Sequence, residues 1–70
     1  MNITELRYLV AIKKWGSVSA AAKQLYAAQP NVSKALKKLE EEYGLRSFER
    51  SSTGMIPTEQ GRRFIEQAAR

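Results

Sequence analysis

Apolar residues on two sides of the first segment predict a helix. One stripe recurs every three or four positions and consists of Ile3, Leu6, Leu9 and Val10. A second stripe lies roughly opposite and consists of Tyr8, Ile12 and Trp15. Asn2 with Glu5 three residues later is typical of a capped helix start, and Gly16 is suited to end the helix. The second stripe is therefore expected to pack in the core against the last helix, with a dimer contact as the alternative.

A short, alanine-rich second helix is predicted over residues 20–25, with Ser19 as its N-cap. Residues 26–28 carry no periodic signal and are typical of a turn. Because the side chains of this helix are small, a neighbouring helix could approach it closely.

A third helix is predicted from residue 28 or 29 to Tyr43, because Pro30 suits a first turn and Gly44 suits a helix end. Its core stripe is narrow and consists of Val32, Leu36, Leu39 and Tyr43. The N-terminal half of its other faces carries amide, hydroxyl and lysine groups, whereas residues 40–42 are all glutamate. Acids near a helix C-terminus interact unfavourably with the macrodipole, so helix stability does not explain why the lysines precede the glutamates. A polyanion meeting the N-terminal half would explain it.

A small hairpin and a last helix complete the predicted order of elements. Two short runs, 45–50 and 55–57, flank a Ser/Thr/Gly turn, and Pro57 ends the second run because it has no amide to donate. Thr58 suits the N-cap of a helix reaching Arg70. The apolar arc of that helix is Gly61, Phe64, Ile65, Ala68 and Ala69. The predicted fold is mostly α: a three-helix core, a hairpin wing and a C-terminal helix.

Composition excludes much chemistry. The chain of 70 residues has no Cys, His or Asp, so a His/Cys zinc site and a Ser-His-Asp relay cannot be built. The four glycines stand far apart, so no phosphate-cradling loop is expected. We therefore expect no catalytic, cofactor-binding or metal-binding residues. The longest apolar run, residues 9–12, is far too short to span a bilayer, and no signal peptide is visible. A soluble cytoplasmic domain without a membrane partner is expected.

The net charge of +5 is unevenly placed. Residues 1–39 hold seven Lys/Arg and one Glu, whereas residues 40–70 hold five Arg and six Glu. A concentrated basic half indicates a polyanion partner. Lysines kept only for solubility are the alternative interpretation.

The second and third helices with their short turn form a helix-turn-helix pattern, in which the third helix enters the major groove of DNA. Gln29 and Asn31 can read adenine, Pro30 can contact a thymine methyl, and Lys34 can reach guanine or a phosphate. Residues suited to phosphates are Ser17, Ser19, Ser33 and Lys37. The hairpin would be a wing with Arg50 near its tip, where a cation can enter the minor groove.

A set of residues along the whole chain resembles the N-terminal winged helix-turn-helix of LysR-type transcriptional regulators. The set is Ala21, Ala22, Leu25, Gln29, Pro30, Ser33, Leu36, Leu39, Glu40, Gly44, Phe48, Arg50, Thr58 and Gly61. The resemblance implies double-stranded DNA as partner, with Gln29, Pro30, Asn31, Ser33 and Lys34 facing it. It also implies a wing formed by Arg50, Ser51, Ser52 and Thr53.

The resemblance further implies a domain over residues 1–57 and the start of a linker helix over residues 58–70. Through that helix a homodimer is expected, with contacts from Phe64, Ile65, Ala68 and Ala69. Two copies would bind a partly symmetric site through adjacent major grooves. A small-molecule effector is expected only in a C-terminal domain that this chain lacks.

Three positions depart from the family pattern. Ala28 replaces a serine that usually caps the recognition helix, so a weaker helix start is expected. Ser47 replaces a leucine, which predicts weaker packing under the wing, and Pro57 replaces an apolar residue, which predicts a shorter second wing strand.

Two other functions fit parts of the pattern. A winged-helix protein-interaction module would dock through the Tyr8, Ile12 and Trp15 stripe or through the last helix. A basic amphipathic membrane binder is disfavoured because no broad exposed apolar face accompanies the lysines.

Overall fold

Four helices and one two-stranded hairpin are present in the computed structural model, which describes residues 2–69. In chain order the elements are α1 (Ile3–Trp15), α2 (Val18–Gln24), α3 (Gln29–Tyr43), β1 (Phe48–Ser51), β2 (Gly54–Pro57) and α4 (Glu59–Ala68). This is the predicted mostly α, winged helix-turn-helix order. The last residue of the predicted final helix, Arg70, lies outside the described residues.

Local capping sets where the first two helices begin. At α1, the side chain of Asn2 accepts from the Glu5 amide at 2.8 Å, and the Glu5 carboxylate accepts from the Asn2 amide at 3.0 Å. At α2, the prediction that Ser19 is the N-cap is wrong. Ser17 caps this helix, because its hydroxyl oxygen accepts from the Ala20 amide at 3.0 Å. Ser17 is extended, with φ −160°, so α2 begins immediately after it.

The third helix begins without a side-chain cap, as the alanine at position 28 predicts. Ala28 is extended, and no side chain accepts a hydrogen bond at this cap, while Pro30 lies in the first turn. At the other end, the Gly44 amide donates to the Glu40 carbonyl. The predicted bounds of α3 are therefore confirmed.

Helix α1 lies at the centre of the fold and contacts α2, α3, α4 and β2. The buried apolar side chains come from all four helices and the first strand. They are Leu9, Ala11, Ile12, Ala21, Ala22, Val32, Leu39, Phe48 and Ile65. No helix within residues 2–69 has the length and apolar character needed to cross a membrane.

The prediction that Trp15 belongs to the core is wrong. Its side chain is 45% exposed, whereas Ile12 of the same predicted stripe is 0% exposed and Tyr8 is half-buried. The stripe at Ile3 and Val10 also faces solvent in part, since both residues line an open groove along α1. The Lys14 ammonium lies 5.2 Å from the Trp15 ring centroid, which covers one face of the exposed indole with a cation.

The wing is an antiparallel pair in which Phe48 is opposite Pro57 and Ser51 is opposite Gly54. Pro57 is the last residue of β2. The Met55 amide donates to the Gly16 carbonyl at 2.7 Å, which fixes the second wing strand to the end of α1. A Cβ atom on Gly54 would lie 2.6 Å from that same carbonyl oxygen, and Gly54 has φ +123°. Only glycine fits this approach.

Candidate nucleic-acid interface

Six predicted DNA-facing residues line one open depression of about 380 Å³. They come from three elements: the start of α2, the start of α3 and the wing. The six are Ser17, Ser19, Gln29, Ser33, Arg50 and Ser51, and the rest of the lining is Gly16, Val18, Gly54 and Met55. The fold therefore brings together side chains that lie up to 34 positions apart in the sequence.

The floor of this depression is built from the contact between the wing and the end of α1. Gly16, Gly54 and Met55 all line it, and the hydrogen bond from the Met55 amide to the Gly16 carbonyl closes it. Sequence reasoning missed these three residues. Gly16 and Gly54 were recognised only as helix-end and turn residues, and no local pattern indicates that they meet.

The hydroxyls at the start of α2 retain a donor. The Ser17 oxygen accepts from the Ala20 amide, and it lies 3.4 Å from the Ser19 oxygen. A hydroxyl has one proton and two lone pairs, so one proton in this pair can still be donated outward. Ser19 is exposed. The pair can therefore offer a hydrogen bond to an anion.

The recognition helix has two polar flanks that face different neighbours. Gln29 and Ser33 face the depression beside the wing. On the other flank, Asn31 and Lys34 line a shallower hollow against α1, together with Glu5, Tyr8, Ala35 and Lys38. The structure thus does not place all predicted base-reading residues in one pocket. It distributes them over both flanks of one exposed helix start.

The α3 side chains predicted to contact DNA are exposed and have no partner in the described part of the chain. Within residues 2–69, no side-chain hydrogen bond or ion pair engages Gln29, Asn31, Ser33, Lys34 or Lys37. Lys38, by contrast, lies 3.9 Å from the Glu5 carboxylate. The amide, hydroxyl and ammonium groups of the helix start therefore remain available to an external partner.

The wing separates residues that shape its turn from residues that can reach outward. The Ser51 hydroxyl donates to the Gly54 carbonyl at 2.8 Å and accepts from the Thr53 amide at 3.3 Å. It also lies 3.1 Å from the Thr53 hydroxyl. Arg50 and Ser52 are exposed, and no contact among the described residues pairs the Arg50 guanidinium. Ser51 and Thr53 therefore stabilise the turn, while Arg50 presents an exposed positive charge to solvent.

Two cations of α4 are paired within their own helix. Arg62 lies 3.3 Å from Glu66 and Arg63 lies 2.9 Å from Glu59, both pairs one turn apart on α4. Among the described residues, Lys34, Lys37 and Arg50 form no ion pair, so the start of α3 and the wing carry unneutralised positive charge. In the same part of the chain this also holds for five cations outside these two places: Arg7, Lys13, Lys14, Lys23 and Arg46. Within residues 2–69, no His, Cys, Asp or Glu cluster could hold a metal ion.

The residues predicted for a dimer contact on α4 divide into two groups. Ile65 is 4% exposed in this chain's own core, so its side chain is not available to a second copy. Phe64 also packs inward, with its ring centroid 4.9 Å from that of Tyr43. Ala68 is half-buried and Ala69 is exposed. Ile65 thus has little surface left for a second copy, whereas Phe64 and Ala68 are partly accessible and Ala69 is exposed; the dimer contact itself stays a prediction.

The predicted docking stripe of a protein-interaction module does not form one accessible surface. Ile12 is fully buried between helices, so it cannot contact a partner, and Tyr8 is only half exposed. Of the three, only Trp15 is largely exposed, at 45%.

An α2–turn–α3 unit, an exposed polar helix start and a wing together define a winged helix-turn-helix domain of the DNA-binding kind. The family model for bacterial regulatory helix-turn-helix proteins of the lysR family matches residues 3–62. The chain belongs to this family of transcriptional regulators, and the resemblance seen in the sequence is confirmed.

Relatives in several bacteria match almost the whole chain. The regulator TfdS of Cupriavidus pinatubonensis is 41% identical over 70 residues, which is 100% of this chain and 24% of TfdS. YcgK of Bacillus subtilis is 44% identical over 68 residues, which is 97% of this chain and 21% of YcgK. The chain thus spans about a quarter of the length of the curated relatives it matches. These relatives are transcriptional regulators, not enzymes.

Solved structures of the same family superpose closely. The CbnR DBD–DNA complex has a TM-score of 0.88 at 35% identity, covering 99% of this chain and 79% of that one. The BenM DBD/benA site 1 DNA complex has a TM-score of 0.88 at 38% identity, covering 99% of this chain and 80% of that one. Both similar structures were determined with DNA.

Proposed function

We propose that this chain binds double-stranded DNA sequence-specifically, as the DNA-binding domain of a LysR-type transcriptional regulator. The observation that carries the proposal is the convergence of Gln29, Ser33, Arg50 and the α2 serines on one depression, beside unpaired lysines of α3. In this assignment the recognition helix, residues 29–43, enters the major groove. The wing, residues 48–57, lies over the minor groove or the backbone.

Base reading is assigned to four residues of the helix start: Gln29, Pro30, Asn31 and Lys34. A helix with its side chains is about 10–12 Å wide and fits a major groove about 12 Å wide. Because Gln29 lies on the wing flank and Asn31 on the α1 flank, the two amides would meet bases on different sides of the groove. Amides of this kind bind the donor and acceptor edge of adenine bidentately. An A/T-containing site is therefore expected.

Backbone positioning is assigned to Ser17, Ser19, Ser33 and Lys37, together with the wing cation Arg50. Hydroxyls and lysines at phosphates fix register without reading sequence. Each phosphate neutralised by a cation releases counterions, so affinity should fall as salt rises. The domain division follows the same assignment, with residues 1–57 reading DNA and residues 58–70 starting the linker helix.

The assembly and setting of the complete regulator are part of the proposal. A homodimer through the C-terminal helix would place two recognition helices one helical turn of DNA apart, about 34–36 Å. Its contacts would use the accessible parts of Phe64, Ala68 and Ala69, while Ile65 would support them from the monomer core. The small-molecule effector would bind a further domain outside this chain. A duplex DNA partner also implies a cytoplasmic location in a bacterium.

Selection of bound duplexes from a random pool, followed by gel shifts at two salt concentrations, tests the proposal. We expect an enriched, partly symmetric motif and a log K that falls with log salt by about 0.9 per neutralised phosphate. Arg50→Ala should weaken binding, and Arg62→Ala is its matched control. Arg62 already pairs with Glu66 on α4, so its removal should leave duplex affinity nearly unchanged. No enrichment, together with salt-insensitive retention of a protein partner, would contradict the assignment.

A further inference from the structure

Glu40 holds the segment that leads from the recognition helix into the wing. Its Oε2 atom accepts a hydrogen bond from the Ser47 amide at 2.7 Å and another from the Ser47 hydroxyl at 2.9 Å. Ser47 is 0% exposed. Where the family pattern predicted only weaker packing at this position, the structure shows a buried hydroxyl paired with a carboxylate. Hydrogen bonds to a charged acceptor are about twice as strong as neutral ones.

The other side of Ser47 is fixed to α4. Its carbonyl accepts from the Thr58 amide at 2.9 Å, and the Thr58 hydroxyl oxygen accepts from the Gly61 amide at 2.9 Å. The Thr58 hydroxyl also donates to the Arg46 carbonyl. A Cβ atom at Gly61 would lie only 1.9 Å from the Ser47 oxygen. Ser47 is thus enclosed between α3 and α4.

The position of Ser47 determines where Arg50 lies. The first wing strand starts at Phe48, which is buried, so the strand has no freedom to pivot at its own first residue. Arg50 is three residues beyond Ser47, about 10 Å at the usual strand rise. The second strand is fixed separately, by the bond from Met55 to Gly16. These two attachments together set the angle between the wing and the recognition helix.

We infer that Glu40 and Ser47 are positioning residues for the contact between wing and DNA. Neither residue lines the DNA-facing depression, yet the contact made by Arg50 depends on both. The inference rests on the proposed DNA-binding function and assigns to α3 a second role, besides reading bases. In this role, Glu40 fixes the direction in which the wing leaves α3 by holding Ser47.

A double-mutant cycle on duplex affinity tests this role. The four proteins are wild type, Glu40→Ala, Arg50→Ala and the double variant, each titrated with a duplex from the selection over a series of salt concentrations. If Glu40 acts through the wing, Glu40→Ala weakens binding about tenfold when Arg50 is present and less than about twofold when it is absent. Glu40→Ala and Arg50→Ala should also each lower the salt slope by about 0.9, and the double variant no further.

Three further variants separate positioning from loss of structure. Glu40→Gln keeps an oxygen acceptor for Ser47 and should bind within about twofold of wild type. Glu42→Ala is matched in charge change and helix, but Glu42 is exposed and its side chain makes no hydrogen bond or ion pair within residues 2–69, so it should leave the salt slope unchanged. Ser47→Ala loses only the hydroxyl bond and provides a milder version, should Glu40→Ala not fold. Circular dichroism spectra establish which variants are folded.

Two results would overturn the inference while leaving the proposed function intact. One is additive effects of Glu40→Ala and Arg50→Ala with an unchanged salt slope in Glu40→Ala. The other is a duplex affinity of Arg50→Ala equal to that of wild type, which would mean that Arg50 makes no contact for Glu40 and Ser47 to position. Failure of the wild-type protein to retain any duplex would instead overturn the proposed function itself.

Discussion

Replacing Gly61 by alanine should destabilise this domain, although the same change usually stabilises a helix. Gly61 lies in the first half of α4, where alanine is favoured over glycine by about 1 kcal/mol on helix propensity alone. The structure opposes that gain. A Cβ atom at this position would lie 1.9 Å from the Ser47 carbonyl oxygen, 2.7 Å from its carbonyl carbon and 2.8 Å from its Cα.

All three obstructing atoms belong to the backbone, so no side chain can rotate away. To reach an ordinary contact distance, α4 and the base of the wing must separate by more than about 1 Å, which also disturbs the bonds between Ser47 and Glu40. Overpacking of this kind costs about 1–3 kcal/mol, and more where backbone must move. Because only backbone atoms obstruct the Cβ, we place the cost at the upper end, about 3 kcal/mol, so after the propensity gain of about 1 kcal/mol the net loss is about 2 kcal/mol. For a domain of this size, that corresponds to a Tm lower by about 8–16 °C.

Thermal and urea unfolding followed by far-UV circular dichroism would measure the effect. The matched control is Gln67→Ala, an exposed position of the same helix that tests propensity without a steric conflict. We expect the control to change stability by less than about 0.5 kcal/mol. A Gly61→Ala protein that is as stable as wild type, or more stable, would refute the argued close approach of α4 to the wing.

Three other predictions follow from the described contacts. Gln29→Ala should relax base preference at one position of the selected motif, a discrimination of about 1–3 kcal/mol, whereas Lys37→Ala should weaken all duplexes about equally and lower the salt slope by about 0.9; an unchanged selection profile for Gln29→Ala would exclude its recognition role. Ala28→Ser should raise the free energy of unfolding by about 1 kcal/mol, because the extended N-cap of α3 lacks a side-chain acceptor; equal urea midpoints for the two proteins would argue against this. Tyr26 is 98% exposed with φ +54°, so Tyr26→Asn should raise stability by about 0.5–1 kcal/mol, because asparagine tolerates the left-handed region better; a lower urea midpoint would indicate that the aromatic ring stabilises the turn in a way that its exposure does not reveal.

Much of the fold could be predicted because its boundaries are encoded locally. Asn2 with Glu5, Pro30 and Gly44 each specify a helix end through their own backbone chemistry, and the structure confirms these ends. Ser17 and Ser19 are equally able to cap a helix, so the sequence could not choose between them. The choice follows from where the chain leaves Gly16, which depends on packing beyond the local sequence.

The burial of individual apolar residues was less predictable. Periodicity placed Ile12 and Trp15 on one stripe, but one is buried and the other is 45% exposed. The difference arises because Trp15 lies with Leu6 and Val10 along an open groove of α1, whereas Ile12 faces the other helices. The spacing of apolar residues carries no information about which neighbours cover them. The contact of Ser47 with Glu40 also joins residues separated by a loop. The carbonyl side of Ser47 is also approached closely by α4, and the isolated glycine at position 61 within a helical pattern was the one local sign of this second contact.

The bond from the Met55 amide to the Gly16 carbonyl has a consequence for engineering new specificities. The second wing strand is held to the end of α1 by main-chain atoms, so exchanging exposed side chains of the wing leaves this hydrogen bond intact. A combinatorial library at Gln29, Asn31, Lys34, Arg50 and Ser52 would vary the proposed reading surface without replacing the main-chain atoms of this hydrogen bond. The side chains proposed to read DNA and the main-chain atoms that hold β2 to α1 are different atoms, so the first can be exchanged while the second are kept.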